Sequence, residues 1–275
     1  MDKRIYLKWT QKELSFIKKS YYDEDIDFLS KNLRNRKHAA ILKKAQVLGL
    51  KKKPTRKSDI SVLLKETPEA YYWIGFLMAD GTFTDRRLQL GLASKDLDHL
   101  HKFRSFIESS NSIYKTDGSN QYRLGLASVA LVQSIKKKFQ ISNRKTYEPC
   151  NISNIKNDDL LFSLIMGFVD GDGSVSKISS SKNSFQLTVV SHPNWLENLT
   201  FMQLFLYDFF SEKLTTKKAF VKTYKSKEPL TDIPTIAKTA MFVISKKRLL
   251  LGIKNKAIEL RLPFMERKLG KVIYR

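Results

Sequence analysis

Two aspartates, each followed by glycine and each closing a run of apolar residues, are the groups in this chain best placed to do chemistry. The first run is YWIGFLMADG, Tyr72 to Gly81, and the second is LIMGFVDGDG, Leu164 to Gly173. Gly75-Phe76 in one matches Gly167-Phe168 in the other, and Asp80-Gly81 matches Asp172-Gly173. Gly75 with Ala79, and Gly167 with Gly171, set small residues four apart on one helix face. Two such helices can approach closely, which brings Asp80 and Asp172 together at one end. Convergent carboxylates repel unless neutralised, and oxygen-only ligands select a hard cation such as magnesium. A calcium loop opening at Asp170 is excluded, because its sixth and twelfth positions are Val175 and Ser181 instead of Gly and Glu. Both runs are too short to span a membrane.

The surroundings repeat as well. Each run leads into an alternating strand, after which Ser94 or Ser191 opens a helix bearing Leu97 and Leu100, or Leu196 and Leu199. Later come NRKTYEP (Asn143 to Pro149) and NKAIELRLP (Asn255 to Pro263). The coarse pattern in each copy is helix, two strands, helix, two strands, helix. On the strands, leucine and other apolar residues alternate with Arg87 and Gln89, with Gln121 and Arg123, and with Gln186 and Thr188. One sheet face therefore packs on helices, and the other carries side chains suited to base edges and phosphates.

Aligned on Trp73 to Gly81 and Ile165 to Gly173, this pair resembles the motif of the LAGLIDADG homing endonuclease family in its single-chain, two-repeat form. Met78 stands at the sixth position, where Asp170 keeps an acid. The eighth position, Asp80 and Asp172, is the one that binds metal in that family. The resemblance takes in most of residues 68–263. It implies an α+β fold of two pseudo-symmetric αββαββα repeats forming a DNA-binding saddle of antiparallel sheets. It also implies magnesium, as two or three divalent ions shared at the helix interface. Asp80 and Asp172 would hold them with the main-chain carbonyls of Ala79 and Gly171. A basic residue near each scissile phosphate is implied too, and the matching residues are Lys145 and Lys256.

The activity so implied is sequence-specific cleavage of both DNA strands by phosphodiester hydrolysis, performed by a monomer on a long, pseudo-palindromic duplex. Intron RNA is a further expected partner. The alternative is a catalytically silent DNA-binding regulator or an RNA-splicing maturase on the same scaffold, and retention of both Asp-Gly pairs favours the enzyme. Other nuclease chemistries find little support. His99 and His101 are expected on a solvated helix, and Glu266 to Lys268 spells ExK without an upstream strand acid.

Composition agrees with a polyanionic partner. The 275 residues carry 50 Lys and Arg against 27 Asp and Glu, a formal charge of +23. Residues 31–57 contain no acid, and LKKKPTRKS (Leu50 to Ser58) lacks the apolar face of a lipid-binding helix. Residues 1–50 read as a small all-α, helix-turn-helix-like DNA-binding domain. Thr10 and Glu13 have capping-box spacing, Asp23 and Asn35 are placed to cap two further helices, and the third helix is expected over Arg36 to Leu48. That helix buries Ile41, Ala45 and Leu48 and directs Arg36, Lys43 and Gln46 toward DNA. Residues 51–67 form a basic linker, 68–157 the first repeat and 158–275 the second, with 264–275 a closing basic helix. A lone Cys150 and no signal-peptide block lead to the expectation of an intracellular, reducing compartment.

Overall fold

The computed structural model describes residues 8–24, 26–51, 58–178, 184–214, 216–227 and 234–272, with backbone alone at 224–227 and 234–237. Residues 52–57 of the expected linker and 273–275 of the expected closing helix lie outside the described residues. The chain divides into two compact units, Met1–Lys57 and Ser58–Arg275.

Among its described residues the first unit holds three helices, α1 (Gln11–Ser20), α2 (Ile26–Asn32) and α3 (His38–Val47). Thr10 and Glu13 form the expected capping box, each side chain meeting the other residue's main-chain N–H. Ile17, Tyr21, Leu29, Leu33, Ile41 and Ala45 bury in a small core, with Leu48 packed against it. The third helix starts later than its sequence suggests, at His38, and its N-cap is Lys37 rather than Asn35. Arg36 lies just ahead of that helix. Its guanidinium folds back onto Glu13 (Nε to Oε1 2.8 Å, Nη2 to Oε2 2.9 Å), donates to the Lys8 carbonyl at 2.6 Å and stacks on Trp9 at 4.2 Å. This pairing holds the Glu13 carboxyl down at about 2. Lys43 and Gln46, in contrast, are exposed.

The second unit contains two copies of one αββαββα plan. The first runs α4 (Pro68–Asp80), β1 (Gly81–Phe83), β2 (Arg87–Ala93), α5 (Leu97–Phe106), β3 (Tyr114–Lys115), β4 (Gln121–Ala127) and α6 (Val129–Phe139). The second runs α7 (Asp158–Asp172), β5 (Gly173–Lys177), β6 (Phe185–Ser191), α8 (Leu196–Phe209), β7 (Phe220–Lys227), β8 (Pro234–Ile244) and α9 (Lys247–Glu259). Each copy yields one antiparallel four-stranded sheet, ordered β1-β2-β4-β3 and β5-β6-β8-β7. Period-two alternation buries Leu88, Leu90, Leu92, Leu124 and Leu126 in the first sheet and Leu187 and Val189 in the second. All join a single core shared by both repeats.

That core extends into the span read as a linker. Residues Ile60–Leu64 form a short helical turn capped by Asp59, and Ile60, Val62 and Leu63 are buried beside the first repeat's residues. Beyond α9 the described residues contain one wide π-type turn, Glu266–Gly270, in place of the expected closing helix; Lys268 and Leu269 are buried in it.

Candidate active site at the paired helix ends

The site is made by the approach of α4 and α7. Thr67, with Pro68 at the first turn, caps α4, and Asn157 caps α7 by accepting the Leu160 N–H at 3.0 Å. Nearly every side chain of both helices is buried, so each helix is enclosed on all sides. Where they meet there is room only for hydrogen. A Cβ on Gly75 would lie 1.8 Å from the Leu164 carbonyl oxygen, and one on Gly167 would lie 1.8 Å from that of Tyr72. Further along, Gly171 faces Ala79. The helices therefore touch along their length and end side by side, with Asp80 and Asp172 as their last residues.

Helix C-termini concentrate negative potential and leave carbonyls without intrahelical donors. Two aspartates there are doubly unfavourable, and two lysines answer them. Lys145 donates to the carbonyls of Met78 (2.7 Å) and Ala79 (2.6 Å) at the end of α4. Lys268 donates to the carbonyl of Asp170 and, at 3.2 Å, to that of Gly171 at the end of α7. Burial lowers the pKa of both lysines, while the nearby aspartates pull it back up.

Burial raises the Asp172 carboxyl to about 6, with repulsion from Asp80 adding to it and a Ser191 hydrogen bond opposing it. Asp80 is open to solvent on one side and crowded by protein on the other. The crowding raises its carboxyl, and Lys268 and Lys145 oppose the shift. Met78, Ala79, Lys145, Thr146, Asp172 and Ser191 line a concavity of 240 Å³ beside this pair.

A third acid stands behind the site. Asp170 is buried and accepts from the Tyr72 hydroxyl (2.6 Å) and the Met265 main-chain N–H (2.9 Å). Burial still raises its carboxyl to about 6. His99 Nε2 lies 3.0 Å from the same hydroxyl. Assigning the tyrosine proton to Asp170 makes His99 the donor through Nε2, which is the neutral tautomer. Burial agrees, holding its pKa down at about 3. His99 is thus buried against Tyr72, Trp73 and Phe76 of α4 rather than on the solvated face expected of it, while His101 is exposed.

Of the expected site residues, Asp80, Asp172, Lys145, Ala79 and Gly171 converge. Lys256 does not: its ammonium pairs with Glu259 at 2.7 Å and Asp159 at 3.0 Å. Asp159 lies in the first turn of α7 and Asp172 closes it, a separation of roughly 20 Å at the helical rise per residue. The lysine that mirrors Lys145 is Lys268. The Asn-x-Lys spelling of NRKTYEP misleads because Asn255 and Lys256 are still inside α9. Both site lysines follow the last helix of their repeat, Lys145 after α6 and Lys268 after α9, at different distances along the chain.

The polar sheet residues lie on the solvent side of the two sheets. Arg87 and Gln121 are exposed, and Gln89, Arg123, Gln186 and Thr188 are half-buried. Gly91 is paired with Arg123, whose side chain lies across it. Gln186 donates to Thr188 at 3.0 Å. Arg36, tied to Glu13, is not available as the expected outward contact.

The two carboxylates, Asp80 and Asp172, define what can be held here. Among the described residues no cluster of three or more His, Cys, Asp or Glu could cage a metal ion. A magnesium-like ion fits this donor set, since it is commonly held by one or two carboxylates with water and substrate phosphate completing the shell. The raised Asp172 carboxyl is a second mark of fit, because a cation would relieve it.

No family model matches the chain, and neither does any curated protein. Solved structures do resemble it. The LAGLIDADG homing endonuclease I-GzeII in complex with its DNA target is 15% identical, with 73% of this chain and 86% of that chain covered and a TM-score of 0.46. The LAGLIDADG meganuclease I-CpaMI bound to uncleaved DNA is 12% identical, with 74% and 88% covered and a TM-score of 0.46. I-SmaMI bound to an uncleaved DNA target in the presence of calcium ions is 14% identical, with 74% and 87% covered and a TM-score of 0.44.

Proposed function

We propose that this chain is a sequence-specific, magnesium-dependent endonuclease that cuts both strands of a long, imperfectly two-fold DNA duplex, as a homing endonuclease does. The observation that carries this reading is the pairing of Asp80 with Asp172 at the ends of two touching, pseudo-symmetric helices, each end with its own lysine. Two equivalent acids suit two strands. The solvent faces of the two sheets, with Arg87, Gln89, Gln121, Arg123, Gln186 and Thr188, supply donors and acceptors for base edges and phosphates. The charge of +23 supplies the sequence-independent attraction.

Asp80 and Asp172 would hold the divalent ions. Bound there, such ions make a water more nucleophilic and stabilise charge on the phosphorane-like transition state and leaving oxygen. The carbonyls of Ala79 and Gly171 are engaged by ammonium groups, so their use as ligands requires the lysines to yield. Once released from those carbonyls, Lys145 and Lys268 would contact one scissile phosphate each. Lys43 and Gln46 on α3 make the first unit a further DNA-contacting module.

The test is single-turnover cleavage with binding measured separately, on a target found by incubating a duplex library with magnesium. Asp80→Asn and Asp172→Asn each suppress cutting of at least one strand by a large factor, while affinity stays similar or rises. Lys145→Met and Lys268→Met slow cleavage, whereas Lys256→Met leaves it unchanged. Full double-strand cutting by either asparagine variant would overturn the assignment.

A further inference from the structure

Lys268 reaches the end of α7 from a segment that is tied to both repeats. Its neighbour Arg267 forms a two-pronged ion pair with Asp96, just before α5 of the first repeat, with Nε on Oδ1 and Nη2 2.7 Å from Oδ2. Asp96 is buried, its side chain 8% exposed against 39% for Arg267. On one side of Lys268 the Met265 N–H is held by Asp170, and on the other Lys254 donates to the carbonyls of Gly270 (3.4 Å) and Val272 (3.0 Å). Lys145 is held from the opposite repeat too, but by a neutral donor: Trp195 Nε1 meets the Lys145 carbonyl at 3.1 Å. Each lysine is thus anchored across the repeat boundary, one ionically and one not.

We propose that Arg267 and Asp96 are positioning residues for Lys268, and through it for the chemistry on one of the two DNA strands. This deepens the nuclease reading and rests on it. A bidentate guanidinium–carboxylate pair fixes orientation as well as distance. Asp96 is moreover the buried partner, so the arginine is drawn to a fixed point in the first repeat while the next residue caps the second repeat's helix. Losing that point frees the turn on which Lys268 sits, and misplacement by about an ångström costs on the order of a hundredfold in rate.

The experiment labels each strand of the cleaved duplex and follows nicking under single-turnover conditions. Asp96→Asn and Arg267→Gln slow the strand that Lys268→Met slows by roughly ten- to a hundredfold and leave the Lys145 strand and DNA affinity unchanged. Arg267→Gln adds little in a Lys268→Met background, because both act on one group. Equal slowing of both strands, no slowing, or full additivity with Lys268→Met overturns the proposal. A parallel hydrogen-exchange measurement does not depend on cleavage. Asp96→Asn quickens exchange in residues 265–272 alone; unchanged exchange, or faster exchange throughout the second unit, counts against the clasp. A wild-type chain that cuts no duplex removes the nuclease reading, and the exchange result then decides the clasp independently.

Discussion

Asp172 carries an energetic cost that measurement can expose. Its carboxyl is raised to about 6 in the folded chain, against roughly 4 for an unperturbed aspartate. Between those values the folded state binds the extra proton, so this group's contribution to stability falls as pH rises through the window. His99 works in the other direction. Held neutral with a pKa of about 3, it contributes stability that is lost as pH falls below the ordinary histidine value, about 6.5. The two effects overlap, so the difference between variants is the clean observable. In the metal-free protein Asp172→Asn should raise Tm at neutral pH, and the gain should shrink as pH is lowered toward 5. A gain that is independent of pH would mean that the carboxylate is already compensated. Sites built for a ligand commonly hold this kind of unfavourable charge, at the expense of stability.

At the scale of the element, the contact between α4 and α7 has no slack. Adding one methyl at Gly75 or Gly167 sets carbon 1.8 Å from a carbonyl oxygen of the facing helix. The obstacle is backbone, so no rotamer change relieves it. Gly75→Ala and Gly167→Ala should each cost about 3 kcal/mol or more, at or above the upper end of ordinary overpacking, and lower cooperative unfolding midpoints in urea accordingly. A loss below about 1 kcal/mol would mean that the helices can separate without penalty. The same closeness explains the Asp80 and Asp172 pair: small residues set the separation of the helices, and that separation sets the carboxylates against each other. At the last turn of each helix the carbonyls turn to a lysine instead, Lys145 on α4 and Lys268 on α7.

For the whole molecule the charge is the dominant quantity. With +23 on 275 residues, duplex affinity should fall by roughly three orders of magnitude between 50 and 200 mM salt if six or more phosphates are neutralised. A flat response would assign the charge to another purpose. The first unit has its own core, and its proposed role is separable. Removing residues 1–57 should shorten the protected footprint on one side and weaken binding, with magnesium-dependent cutting still measurable at high protein concentration. Lys43→Ala with Gln46→Ala should reproduce part of that loss. Arg36→Ala should instead raise hydrogen exchange in α1 and α3, because Arg36 joins the α1 N-terminus to the chain ahead of α3.

Local pattern carried most of the architecture. The matched offsets of Gly75-Phe76 and Gly167-Phe168 disclosed the repeat, and leucines two apart in β2 and β4 disclosed which sheet face is buried. Thr10 with Glu13 marked a helix start. The repeat is a comparison of spacings and the others are interactions within a few residues, so the sequence records them all. Tertiary structure decided what depends on partners far apart in the chain. Whether Lys256 or Lys268 meets the site follows from where α9 ends, and 50 basic residues make any one lysine anonymous by type. His99 shares the buried face of α5 with Phe103, and its polar partner there, the Tyr72 hydroxyl, comes from a distant helix. Arg36 has the periodicity of an outward contact, yet Glu13 and Trp9 claim it first. A charged side chain goes to whichever opposite charge the fold brings within reach, and periodicity along one helix does not contain that information.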